Sequence, residues 1–190
     1  MSKIKITCDS TCDLTPELYE KYGVPLSLCG HLHMQHIARS NNLTEIAASS
    51  LAVSPNQYGV LQVKDNQLLE YRMQPLDVSA WAKRTNQTNT DLMHFSQYAS
   101  DFFNRTTHAQ TSAMFTSSML SPQEQQSMID FAVQLNAQYF SGNRSLTADH
   151  PAWAMWQQHL PSSFFTYYMS SILAEPAQDM RFVSFRQPLP

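Results

Sequence analysis

Polar and apolar residues alternate over Lys3-Ile4-Lys5-Ile6-Thr7-Cys8, the period of a strand with one covered face. A helix is expected next. Thr15 suits its N-cap, Pro16 its first position and Gly23 its end. Val24 to Cys29 is a second short apolar run that stops at Gly30. The stretch from Leu43 to Met73 reads as sheet, and the runs Val60–Val63 and Leu68–Met73 flank a polar Lys64–Gln67, which predicts a hairpin.

After Pro75 the period lengthens. A helix is expected from Asp77, and the apolar positions Leu92, Phe95, Tyr98 and Phe102 continue at helical spacing. The strongest helix signature comes after them: Ser121 as N-cap, Pro122 at the first position, Glu124 closing a capping box and Gly142 at the end. His150–Leu160 and Pro161–Glu175 read as two more helices, and Arg181–Phe185 as a closing strand. The pattern is therefore an α/β region over 1–76 followed by an all-helical C-terminal subdomain over 77–190.

Composition narrows the function classes. A chain of 190 residues with 43% hydrophobic content has material for a real core. A net charge of −3 argues against a basic nucleic-acid-binding face. No apolar run approaches the ~18–20 residues that span a bilayer, so no membrane contact is expected. The first residues lack the apolar core of a signal peptide. Three cysteines, an odd number, suit reduced thiols and a cytoplasmic location.

Candidate chemistry concentrates in Ser27-Leu28-Cys29-Gly30-His31-Leu32-His33-Met34-Gln35-His36, which holds three of the seven histidines. A strand, a glycine and then His-x-His can aim two imidazoles at neighbouring metal ions, and Gly30 lets the backbone come close. A histidine-rich surface loop explains the same residues equally well. Cys8, Cys12 and Cys29 match no zinc spacing.

The segment from Val24 to Ala38 resembles the Gly-His-x-His motif of calcineurin-like metallophosphoesterases. The sheet and helical tail after it are similar to the region downstream of that motif in bacterial members, over roughly residues 17 to 185. The resemblance implies a partial metallophosphoesterase sandwich, few strands with a hairpin, before the helical subdomain. It implies hydrolysis of a small phosphate ester at two divalent transition-metal ions, Mn, Fe or Zn, that activate a bridging hydroxide. His31 and His33 are then metal ligands, with Gly30 part of the motif. The family's Asp-x-His, Gly-Asp and Gly-Asn-His motifs are absent upstream, and Asn143 is followed by Arg144 instead of histidine. The expectation is a C-terminal fragment, inactive alone, with no catalytic residue of its own and at most one weakly held ion.

The opening residues, Met1 to Pro16 above all, also resemble the start of DegV-type fatty-acid-binding proteins, which implies a lipid headgroup near Asp9 and Ser10; residues 1–16 then form a foreign leader. Elsewhere the bland readings are stronger. Trp81, Trp153, Trp156 and Phe164–Tyr168 read as helix-packing core, Asp91, Asp101 and Asp130 as solvated faces, and His94, His108, His150 and His159 as ordinary polar residues. Ser10, Ser49 and Ser50 lack a base at a recognisable spacing. Besides the hydrolase fragment, the alternatives are a DegV-like lipid binder and a non-enzymatic helical interaction module. A truncated sandwich also implies a homo-oligomer formed through an exposed sheet edge.

Overall fold

The computed structural model describes residues 21, 23–40, 43–64, 68–115 and 119–186. The strand expected over Lys3–Cys8 lies outside them, as do Cys8, Cys12, Thr15, Asp9 and Ser10. The chain divides into two compact units: one runs to Leu76 and resumes at Met180, the other is Asp77–Asp179. The terminal residues expected in the helical subdomain thus return to the first unit.

The first unit holds two three-stranded sheets. In one, β1 (Leu26–Cys29) pairs in parallel with β3 (Leu43–Ala47), and β2 (His36–Ser40) pairs antiparallel on the other side of β3. In the other, β4 (Gln57–Val63), β5 (Leu68–Pro75) and β6 (Phe182–Arg186) form antiparallel neighbours in that order. Alternation decides what each strand buries. Leu69, Tyr71 and Met73 of β5 face inward and pack with Leu26, Ile46 and Val183. Tyr71 lies over Gly59 so closely that a Cβ there would overlap its ring, which is why a strand interior tolerates glycine at this point. The architecture is mixed α/β, as the pattern implied. Two small sheets of this order, however, do not establish a metallophosphoesterase sandwich.

In the second unit the described helices are α1 (Val78–Arg84), α2 (Thr90–Met93), α3 (Phe95–Ser112), α4 (Pro122–Ser141), α5 (Pro151–His159) and α6 (Phe164–Leu173), with a 3₁₀ turn at Ala113–Phe115. The helix begun at Asp77 does not run on into the next segment. Asn86 adopts φ 55°, and Asn89 caps α2 by accepting from the Leu92 N–H at 3.1 Å. Helix α4 conforms to its sequence signature. Ser121 accepts from the Glu124 N–H, Glu124 accepts in return from the Ser121 N–H at 2.8 Å, and Gly142 ends the helix at φ 71°. The bonds that Ser121 donates hold the Glu124 carboxyl below its ordinary range.

The helical core gathers around Trp156, Phe131, Met128, Leu135 and Met169. Trp156 is fully buried, and its Nε1–H donates to the Met128 carbonyl at 2.8 Å, so the ring adds apolar burial without an orphaned donor. Trp153 joins this core, but Trp81, Phe164 and Tyr167 do not: Phe164 is 74% and Tyr167 77% exposed. Tyr98 and Phe102 are exposed as well, while α3 buries Thr107 and Thr111. Those hydroxyls donate back to helix carbonyls, Thr111 to Thr107 at 2.9 Å, so they enter the interior already satisfied.

Candidate functional site

The histidine segment is a link between β1 and β2. The His33 N–H donates to the Gly30 carbonyl at 3.4 Å, and His33 takes φ 59°, a left-handed conformation in which histidine is found more often than most residues. Gly30, His31, Leu32 and His33 are all exposed. The inward-facing member is Gln35, at 1% exposure. Its Nε2–H donates to the Met180 carbonyl at 2.8 Å, and its Oε1 accepts from the Tyr71 hydroxyl at 3.0 Å. The Tyr71 oxygen also lies 2.8 Å from the Met73 sulfur. With one proton to give, the hydroxyl serves the amide oxygen, the stronger acceptor. Burial pushes the Tyr71 phenol up to about 12. Gln35 anchors the loop to the first unit's interior. The sequence carried no sign of it beyond its place between two histidines, His33 and His36.

On β1, Cys29 stands opposite Ala47 of β3, and His36 of β2 flanks Ala47 from the other side. Burial raises the Cys29 thiol and the nearby Glu45 carboxylate adds to it, so this sulfur is a poor nucleophile at neutral pH. Among the described residues, no group of three or more His, Cys, Asp or Glu is arranged to hold a metal ion. His31 and His33 share a turn without the cluster of donors that a metal centre requires. Two exposed imidazoles do not fit a two-ion centre, which needs a bridging carboxylate and further ligands.

In the helical unit, two further histidines have structural occupations. His150 caps α5 by accepting from the Ala152 N–H at 3.2 Å and stacks on Phe131 at 4.8 Å, and His108 Nδ1 lies 3.1 Å from the Ser112 hydroxyl. The notable polar groups are ones the sequence did not single out. Gln138 Oε1 accepts from the Ser145 N–H at 2.8 Å and the Leu146 N–H at 3.1 Å, fastening the segment after Gly142. Arg144 is buried and donates to the Leu146 carbonyl at 2.8 Å and to the Glu175 carbonyl, tying that segment to the end of α6. Asn136 donates to Thr107 Oγ1 at 2.9 Å and accepts from the Tyr168 hydroxyl at 2.7 Å, joining α3, α4 and α6. Burial raises the Tyr168 phenol, so it stays protonated and remains the donor.

Residues 77–179, just over half of the chain and coincident with the helical unit, match the family described as the C-terminal domain of cyclic nucleotide phosphodiesterase. The chain belongs to this family. No curated protein matches it. The match overturns the assignment to calcineurin-like metallophosphoesterases: the family found is the phosphodiesterase C-terminal domain, and no metallophosphoesterase family matches. The physical reason is the weakness of the signal. A glycine followed by two alternating histidines is what an exposed strand-to-strand turn accepts at little cost. The DegV resemblance rests on residues outside those described, and the phosphodiesterase match gives it no support. What holds at the coarser level is a phosphodiesterase-related chain. Among the described residues, no helix is long and apolar enough to cross a membrane.

Proposed function

We propose that Asp77–Asp179 works as the accessory C-terminal domain of a cyclic nucleotide phosphodiesterase, and that the reaction it serves is hydrolysis of a cyclic phosphodiester. In that reaction water adds to phosphorus, one ester oxygen leaves, and a nucleoside monophosphate results. The observation that carries the reading is the coincidence of the family match with a unit that has its own core. Support also comes from where three of the unit's polar side chains go: the buried Arg144 and the half-buried Asn136 and Gln138 are engaged by the fold's own carbonyls, amides and hydroxyls. The role assigned is thus structural support of a catalytic domain, with His31 and His33 offering at most a weak site for a single divalent ion.

The test is a domain exchange. An active cyclic nucleotide phosphodiesterase stripped of its own C-terminal domain is fused to residues 77–179, and conversion of 3′,5′-cyclic AMP to AMP is measured by chromatography. Recovery of activity over the stripped enzyme is expected, with none from the present chain alone in Mg²⁺, Mn²⁺ or Zn²⁺. Turnover by the chain alone that disappears in a His31→Ala, His33→Ala double variant would overturn the accessory role, as would a folded fusion that stays inactive.

A further inference from the structure

The outward face of β4–β5–β6 carries charged and aromatic groups that take no part in the first unit's core. Register defines that face. With Tyr71, Met73 and Val183 turned to the core, Val60, Arg72 and Phe182 form a row on the opposite side. Tyr58 lies across from Gln74 in the row before it. Glu70 and Ser184 make the row after it, and Arg186 the last. The charges there are Lys64, Arg72 and Arg186 against Glu70, on a chain whose formal charge is −3. Lys64 Nζ and Glu70 Oε2 stand 3.2 Å apart and offset each other. Two guanidinium groups are left with no carboxylate partner among the described residues. That of Arg72 sits 4.7 Å over the Phe182 ring. Phe182 is 45% and Tyr58 43% exposed.

A partner for this face has to be negative and flat. An apolar surface would bury two guanidinium groups without partners, which is costly. An acidic peptide would satisfy the charges but leave the exposed Tyr58 ring, and the part of Phe182 that Arg72 does not cover, open to water. We propose that this face binds a nucleoside phosphate, with the base stacked on the part of the Phe182 ring that Arg72 leaves open, the phosphate taken by Arg72, and Arg186 adding a more distant positive charge from the end of β6. Arginine forks match phosphate oxygens two at a time, and aromatic rings take bases of any identity by stacking. The site belongs to the first unit, so it stands apart from the accessory role proposed for the helical one.

Isothermal titration of the full chain with AMP, adenosine, inorganic phosphate and poly-glutamate tests this, alongside Arg72→Gln, Phe182→Leu and Arg186→Gln variants whose circular dichroism melts confirm folding. Saturable AMP binding that weakens with added salt is expected. Arg72→Gln should weaken it roughly tenfold, and Phe182→Leu should lose a similar factor and leave AMP no better than inorganic phosphate. Arg186→Gln, at the strand end and away from the stacked pair, should also weaken AMP. The proposal fails if the folded chain does not bind AMP. It also fails if poly-glutamate binds as tightly, which would make this an acidic-protein surface, or if AMP affinity survives the three substitutions.

Discussion

Tyr71 concentrates the first unit's demands in one side chain. Its ring covers Gly59, and its hydroxyl holds the glutamine that fastens the histidine loop. Gly59→Ala should destabilise the chain by about 1–3 kcal/mol, because the added methyl overlaps a ring that its neighbours hold in place; urea unfolding measures the loss. Tyr71→Phe should cost about 1–3 kcal/mol by leaving Gln35 Oε1 buried without a donor. The pH dependence arises from the same residue. Its folded-state phenol is raised to about 12, above its unfolded value near 10. The protonated ring's contribution is therefore complete below pH about 10 and disappears as pH climbs toward 12. Stability measured across that alkaline window should fall less steeply in Tyr71→Phe, and an equal fall in both proteins would contradict the assignment.

Elements divide between those that chain-local rules specify and those that they misplace. Helix α4 is legible because everything that starts and stops it lies in the chain at its own two ends: Ser121, Pro122 and Glu124 at one, Gly142 at the other. Ser121→Ala should lower stability by about 0.5–2 kcal/mol, read as a drop in melting temperature of the helical signal. Glu124 is depressed in the folded state, so its share of the capping interaction is present above the ordinary carboxylate range and lost as pH falls through it. Ser121→Ala should reduce that acid sensitivity without abolishing it, because the hydroxyl bond is lost while the backbone N–H at this position still donates to Glu124. The predicted apolar positions are split: Leu92 falls in α2, Phe95 at the start of α3 is half-buried, and only Tyr98 and Phe102 face outward. Tyr98 and Phe102 stay outside because the neighbouring α4 presents Asn136, which pairs with Thr107. No spacing rule reveals a polar partner that lies 29 residues further along the chain.

At the scale of the whole molecule, the two units have separate cores, and the chain returns to the first after leaving the second. A polypeptide of residues 77–179 should fold alone, giving a helical spectrum and one cooperative melt. A broad, non-cooperative transition would show that its core is incomplete. Arg144→Ala should cost that unit about 1–3 kcal/mol, since the Leu146 and Glu175 carbonyls lose their donor, and Arg144→Lys should not restore both bonds.

The hairpin partners β4 and β5, the caps of α4, the shift from sheet to helix after Pro75 and the closing strand β6 were all readable along the chain, because each depends on residues within a turn or two of one another. Tertiary structure alone decided that Gln35 is buried beneath the loop and anchors it, that Arg144 clasps the end of α6, and that Phe164 and Tyr167 stay outside while Trp156 goes in. Those outcomes depend on which side chains meet across 28 to 145 residues of sequence, and a hydrogen bond over that span leaves no periodic trace in the order of the amino acids.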